Sequence, residues 1–324
     1  MSPILEYDGQ SYEAAENETV LDTLLRAGHD IPNSCRAGAC QCCMMRAVSG
    51  TPTPQSQVGL KPALKEQGYF LSCSCTATCD MTLESPGEEF IFPSRILATE
   101  DLGANVMLVK LAVPEAFSYR AGQFITVTNP CGVSRSYSLA SLPGSDELEL
   151  HVRRVPGGLF TTWLFEQAEP GDEVKIAGPA GECFYTAGNA VQPMILIGTG
   201  TGLAPLVGIV RDALQNGHTG PIHLYHGALD PTGLYFCEQL SGLADEFEQF
   251  YYQPCVLRDG DDHIVQGAID QIVLERHTDL KPARAFLCGN PDLVKMLKKK
   301  LFLAGMNMKE IAMDAFIPSA APAA

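Results

Sequence analysis

Residues 34–43 read SCRAGACQCC, which puts Cys35, Cys40, Cys42 and Cys43 within nine positions. Thiolates this close together are ligands for soft metals or iron–sulfur clusters. A structural zinc site favours two C-x2-C pairs held apart by a spacer. Cys40 and Cys43 supply one such pair, but the downstream thiols at 73, 75 and 79 do not supply the second. Cys35, Cys40 and Cys43 instead follow C-x4-C-x2-C, the spacing that holds a [2Fe–2S] cluster once a fourth thiolate is added further along. GYFLSC offers Cys73 for that place, with Cys75 as its rival. The small residues between Cys35 and Cys40 let the backbone wrap closely, so that its N–H groups can hydrogen-bond cluster sulfurs and tune the potential.

Two further stretches carry chemistry. RSYS (135–138) is followed by HVRRVPGGLFTTWL (151–164). Two arginines and a Gly-Gly turn that opens a helix through Thr161 and Thr162 make a site for an anionic phosphate. Guanidinium forks bind phosphate oxygens, and a helix N-terminus adds free N–H groups and its dipole. GTGTGLAP (198–205) follows an apolar run and opens a helix, the context a dinucleotide loop requires. Its glycines fall at 198, 200 and 202, so it departs from Gly-x-Gly-x-x-Gly.

The elements that must position these residues divide the chain by texture. Its 324 residues suggest two or three domains at roughly 150 residues each. Residues 1–89 hold seven of the twelve cysteines, and ESPGEEF (84–90) reads as a linker. Residues 90–189 read as β: IFPSRILATEDL, VMLVKLAV, QFITVTN, RSYSLAS and LELHVRRV are β-branched or aromatic runs between turn formers. One helix, TTWLFEQA, interrupts them, and Trp163 within it reads as core. Residues 190–324 alternate short apolar strands with longer helices, which argues a parallel α/β sheet. The PSAAPAA tail reads as frayed.

Residues 1–89 resemble a plant-type ferredoxin domain, through TVLDTLLRAGHDIPNSCRAGACQCC and GYFLSC. The resemblance implies a β-grasp (α+β) fold and the ligand set Cys35, Cys40, Cys43 and Cys73, with Cys42, Cys75 and Cys79 as ordinary thiols. RSYS and GGLFT resemble the FAD-binding barrel of the ferredoxin–NADP reductase family. This implies a six-stranded antiparallel β-barrel in which Arg135 contacts the FAD pyrophosphate, Tyr137 stacks on the flavin and Ser138 lies near its reactive nitrogen, with Ser136 between them. Gly158, Leu159, Phe160 and Thr161 would approach the pyrophosphate, and His151, Val152 and Arg153 the adenine-side ribose and phosphates. GTGTGLAP and FLCGNP resemble the same family's nucleotide domain. There Thr199, Gly200 and Gly202 would cradle the pyrophosphate of NAD. Cys288, with Gly289 beside it, would meet the nicotinamide, so that Ser138 and Cys288 are the catalytic candidates. Phe316 of Asp314-Ala315-Phe316 would close over the flavin edge, with Asp314 where Glu is commoner in the family.

IHLYHGALDPTG has no cation after its strand and offers Asp230 for a ribose hydroxyl, which favours NADH over NADPH. The family's usual Arg at this spot is Leu229. In this module order the chain resembles the reductase components of bacterial multicomponent oxygenases. The resemblance implies electron flow from NADH through FAD to the cluster and on to a terminal oxygenase (Rieske or diiron) or another acceptor protein. Reductases serving deoxysugar biosynthesis share the order. So does a subunit of a sodium-pumping quinone reductase, but its N-terminal membrane anchor is not expected here. A zinc-stabilised nucleotide-sensing protein is the non-enzyme alternative. A net charge of −16 disfavours a nucleic-acid partner. No apolar run reaches the ~18 residues of a membrane span, and a cytoplasmic location is expected. Lys298, Lys299 and Lys300 read as a solvated helix face, and His223 and His226 as structural.

Overall fold

The computed structural model describes residues 2–33, 35–87 and 90–317. Two residues of the expected linker, at 88–89, and the PSAAPAA tail lie outside them. Three sheets follow one another along the chain.

The first sheet has the order β2-β1-β5-β3-β4. Its strands are β1 (Ile4–Tyr7), β2 (Gln10–Glu13), β3 (Met44–Ser49), β4 (Tyr69–Leu71) and β5 (Met81–Glu84). β1 and β5 pair in parallel and the other pairs are antiparallel. Helix α1 (Val20–Arg26) buries Val20, Leu21 and Leu24 against the sheet's apolar face. Thr19 starts this helix by accepting from the Asp22 N–H, which satisfies one of the free donors of the first turn. A short helix, α2 (Pro62–Glu66), leads back to β4. This is the β-grasp arrangement, and its cluster loop runs between α1 and β3.

The second sheet has the order β10-β7-β6-β11-β8-β9, antiparallel throughout. It comprises β6 (Ile91–Asp101), β7 (Val106–Ala112), β8 (Phe124–Thr128), β9 (Ser134–Ser138), β10 (Glu147–Arg153) and β11 (Glu173–Ala180). A bridge between Leu139 and Leu150 joins its two ends and closes the barrel. β11 was not among the strand readings. Its sequence, EVKIAGPA, carries Gly and Pro, which mask the alternation of buried Val174 and Ile176. Helix α3 (Leu159–Glu166) covers one mouth, with Phe160 and Trp163 in the barrel core as expected for Trp163.

The third sheet is fully parallel, in the order β15-β14-β13-β12-β16-β17. Its strands are β12 (Met194–Thr199), β13 (Ile222–Ala228), β14 (Phe250–Val256), β15 (Val265–Gln266), β16 (Arg284–Gly289) and β17 (Ile311–Ala315). Helices α4 (Leu203–Gln215), α5 (Cys237–Glu246), α6 (Ile269–Arg276) and α7 (Pro291–Leu303) form the crossovers. Every residue of α4 from Leu203 to Val210 is buried, because the helix lies between this sheet and the barrel. A Cβ at Gly208 would come within 2.8 Å of the Leu139 carbonyl oxygen. Arg211 of the same helix reaches Glu149 on β10 at 2.6 Å. One apolar core is therefore shared: Val106, Cys183 and Tyr185 pack with Leu206, Ile209 and Phe286. The reading of the lysine run needs one correction. Lys300 is tied to the buried Asp270 of α6, so it anchors α7 rather than facing water freely.

Candidate functional site

The cluster loop and the turn after β4 set the four expected thiols as two facing pairs. Cys35 faces Cys40, and Cys43 faces Cys73. All four are at most 9% exposed. Backbone N–H groups already point at sulfur: Ala37 and Cys40 donate to Cys35 Sγ, each at 3.4 Å, and Cys35 donates to Cys40 Sγ at 3.5 Å. Gly38 has φ +72°, and a Cβ there would meet Ser74 Oγ at 2.6 Å. A side chain there would be strained and would have to displace the Ser74 hydroxyl, which favours glycine where the loop turns over the segment that carries Cys73. Contact with Cys43 holds the Cys73 thiol down at about 6 and pushes Cys43 well above the usual thiol range. Two facing thiol pairs with converging amide donors can hold a two-iron cluster. Cys75 is fully buried in the apolar core, and Cys79 is exposed.

Beside this loop runs a cleft of about 360 Å³, within the range of a cofactor pocket. One wall is Cys35, Ala39 and Cys40. The barrel supplies Phe124, Arg135, Ser136, Tyr137, Ser138, His151 and Arg153. The start of α3 adds Gly158, Phe160 and Thr161, and the third sheet adds Thr201, Ala204 and the segment Asp314–Ile317. The Tyr137 ring leans on Phe160 at 5.4 Å, and burial raises its phenol above the ordinary range. No side chain caps α3, so its first N–H groups are free to meet an anion. Thr161 Oγ1 is engaged with the Val155 backbone. Leu159 is 63% exposed and Val152 lies in the barrel core, and neither lines the cleft.

His151 is buried, with Nδ1 3.1 Å from the hydroxyl of Tyr235. His226 Nδ1 pairs with Tyr252 at 3.1 Å. Burial lowers both imidazoles to about 3, so they are neutral packing groups near pH 7. His223 stacks on Tyr251.

The nucleotide loop continues β12. Thr199 and Gly200 are half-buried, and Arg153 stands beside Gly200. Gly202 presses against β16: a Cβ there would lie 2.4 Å from the Cys288 carbonyl oxygen. Gly289 follows, and the Asn290 N–H donates to Thr199 Oγ1 at 3.4 Å. Cys288 is 1% exposed and its Sγ is 3.6 Å from that of Cys183, which pushes its thiol up together with burial. Ser138 Oγ donates to Asp314 Oδ2 at 3.1 Å. Burial raises Asp314 to about 6, opposed in part by that hydrogen bond. The Phe316 N–H donates to the Gly289 carbonyl at 2.8 Å, which holds the end of β17 along the cleft. Asp230 is paired with Arg258 at 2.8 Å. No cation neighbours Asp230 in the sequence; Arg258 reaches it from just past the C-terminal end of β14.

Three family models match in tandem. They are a 2Fe-2S iron-sulfur cluster binding domain over residues 5–78, an oxidoreductase FAD-binding domain over 93–185 and an oxidoreductase NAD-binding domain over 196–299. The chain is 32% identical over 308 residues to the reductase component (ferredoxin–NAD(P)(+)) of the naphthalene 1,2-dioxygenase system of Pseudomonas putida, covering 92% of this chain and 93% of that one. It belongs to the family of ferredoxin–NAD(P) reductase components of bacterial multicomponent oxygenase systems. Another relative is the reductase subunit of an aromatic O-demethylase from Amycolatopsis, 32% identical over 96% of this chain and 97% of that one. Among solved structures, the Amycolatopsis cytochrome P450 reductase aligns with a TM-score of 0.71 at 30% identity, covering 98% of this chain and 99% of the other. The ferredoxin reductase of carbazole 1,9a-dioxygenase aligns at 0.67 and 25% identity, over 98% of each. A member of this family is an oxidoreductase with [2Fe–2S], FAD and NAD domains, as expected. No described helix is long and apolar enough to cross a membrane.

Proposed function

We propose that this chain takes electrons from NADH and delivers them singly to a separate terminal oxygenase. When bound, NADH, FAD and the cluster supply two-electron donation, conversion of a pair to single electrons, and one-electron delivery. The observation that carries the reading is the shared cleft. Cluster loop, flavin motif and nucleotide loop all border it, and the loop thiols stand directly against its wall.

Cys35, Cys40, Cys43 and Cys73 would hold the cluster as thiolates. Arg135, Ser136 and the free N–H groups of Leu159 to Thr161 would bind the FAD pyrophosphate, with Gly158 allowing its close approach, and Tyr137 would stack on the ring. His151, Val152 and Arg153 flank its adenine side. Ser138 sits at the reacting edge and, with Asp314, holds a proton there. Thr199, Gly200 and Gly202 receive the NADH pyrophosphate, and Cys288 and Gly289 border the nicotinamide. Phe316, which lines the cleft, would cover the flavin edge and exclude water from it. Asp230 meets the adenosine ribose, shared with Arg258. The domains divide at 89/90 and 189/190.

The acceptor is an oxygenase because relatives of nearly equal length are named as components of such systems. A cytoplasmic location suits twelve unbridged cysteines. The test is anaerobic titration with NADH, then NADPH, followed by absorbance and EPR. Flavin bleaching with a rhombic [2Fe–2S] signal supports the path. A colourless protein, or a flavin that reduces with no cluster signal, ends it.

A further inference from the structure

The ligand assignment leaves Cys42 over, although it lies between two ligands. Its Sγ is 3.2 Å from Thr126 Oγ1 and 3.4 Å from Ser136 Oγ, and those two oxygens are 3.3 Å apart. Thr126 on β8 and Ser136 on β9 are direct cross-strand partners. Cys42 therefore seats the cluster loop on a pair of barrel hydroxyls. Gln41, just before it, has φ +59°, uncommon for a residue with a side chain. That turn sends Cys42 outward while Cys43 stays 2% exposed in its own domain. Ser136 in turn immediately precedes Tyr137 and Ser138, and Cys40 and Ser136 border the same cleft.

We propose that Cys42 is a positioning residue: it docks the iron–sulfur domain on the flavin barrel and supplies the contact across which single electrons cross to the cluster. This rests on the flavin-to-cluster reading above. In each crossing one electron leaves reduced flavin and reduces one ferric ion to ferrous. Cys42 is neither oxidised nor reduced, and no bond of its side chain is made or broken. The Tyr69–Phe90 ring pair ties the end of the linker to the iron–sulfur core, not to the barrel. Domains joined by modest interfaces move relative to one another by default, so a contact beside the cleft governs how often the cluster is in reach.

The experiment is anaerobic stopped-flow with NADH, with freeze-quench EPR for the cluster. Wild-type protein comes first. If its flavin does not pass electrons to the cluster, the functional reading fails whatever Cys42 does. Given that transfer, Cys42→Ala should keep its FAD, its iron and its NADH-to-dye rate. Its flavin-to-cluster transfer should slow by about three- to tenfold, the effect of losing one or two weak hydrogen bonds on the docked population. Cys42→Ser, which keeps a donor, should recover part of the rate. A second readout needs no turnover: Thr126→Cys, treated with diamide as oxidant, should give a disulfide to Cys42 seen by peptide mass spectrometry. Unchanged transfer in Cys42→Ala with intact cofactors, or no cross-link in Thr126→Cys, overturns the proposal. Should Cys42→Ala lose iron, the cross-link and Cys42→Ser decide.

Discussion

Ser138 Oγ donates to Asp314 Oδ2 at 3.1 Å across a sequence separation of 176 residues, linking barrel strand β9 to β17 at the edge of the parallel sheet. Proton-holding groups from two domains thereby meet at one point of the cleft. Burial raises Asp314 to about 6 and the hydroxyl opposes that rise. With a folded value above the unfolded one, the linked stability is present below about pH 4 and lost as pH climbs through about 6.

Flavin reduction by NADH should accordingly show an ionisation near pH 6 that disappears in Asp314→Asn. Ser138→Ala should move that ionisation upward, because the opposing hydrogen bond is gone. It should also slow flavin reduction by roughly 10- to 100-fold while FAD stays bound, the scale of one hydrogen bond to a charged group. Rapid-mixing rates from pH 5 to 9 check both. A pH-independent wild-type rate removes Asp314 from the step.

The thiol pairing separates Cys73 from Cys75. Cys73→Ser should lose iron and the visible cluster absorbance, yet keep flavin and NADH-to-dye activity. Cys75→Ser should keep the cluster and lose about 1–3 kcal/mol of stability, because a hydroxyl replaces a thiol in an apolar core. Iron content and thermal melts read the two outcomes, and the reverse result reassigns the fourth ligand.

Gly202→Ala puts a methyl group 2.4 Å from the Cys288 carbonyl oxygen, so backbone must move. The expected cost is about 1–3 kcal/mol of stability. KM for NADH should rise if the displaced loop receives the pyrophosphate as proposed. Thermal melts and steady-state kinetics test this, and an unchanged KM separates the loop from the nucleotide.

On the proposed reading, the Asp230–Arg258 pair stands where the adenosine ribose would lie. Asp230→Ala frees the Arg258 guanidinium for a 2′-phosphate and removes the repelling carboxylate. The ratio of kcat/KM for NADPH over NADH should rise about tenfold, the scale of one charge-assisted hydrogen bond. Arg258→Ala should lower that ratio. A ratio that ignores both variants places the adenosine elsewhere.

What was legible in the sequence was local. The C-x4-C-x2-C spacing, the RSYS strand, the GGLFT turn and the GTGTGLAP loop each place chemistry within a few residues. Short-range backbone geometry is enough to express it. The same holds for the shift from strand texture to strand–helix alternation, which announced three sheets in order. Past residue 90, β11 escaped because Gly and Pro hide its period, β15 because it has two residues, and β17 because IAMDA has a single β-branched residue and no aromatic one.

Tertiary structure alone decided which groups meet. GYFLSC marks Cys73 as a ligand by resemblance, but only the fold shows it facing Cys43 while Cys75 turns into the core. Nothing near Asp230 points to Arg258, near Asp270 to Lys300, or near Cys288 to Cys183. Cys42 looks like a spare thiol until the barrel hydroxyls of Thr126 and Ser136 close on it. Side-chain type and spacing act over a turn or a strand, whereas these pairs form only because buried apolar faces lock whole sheets against one another.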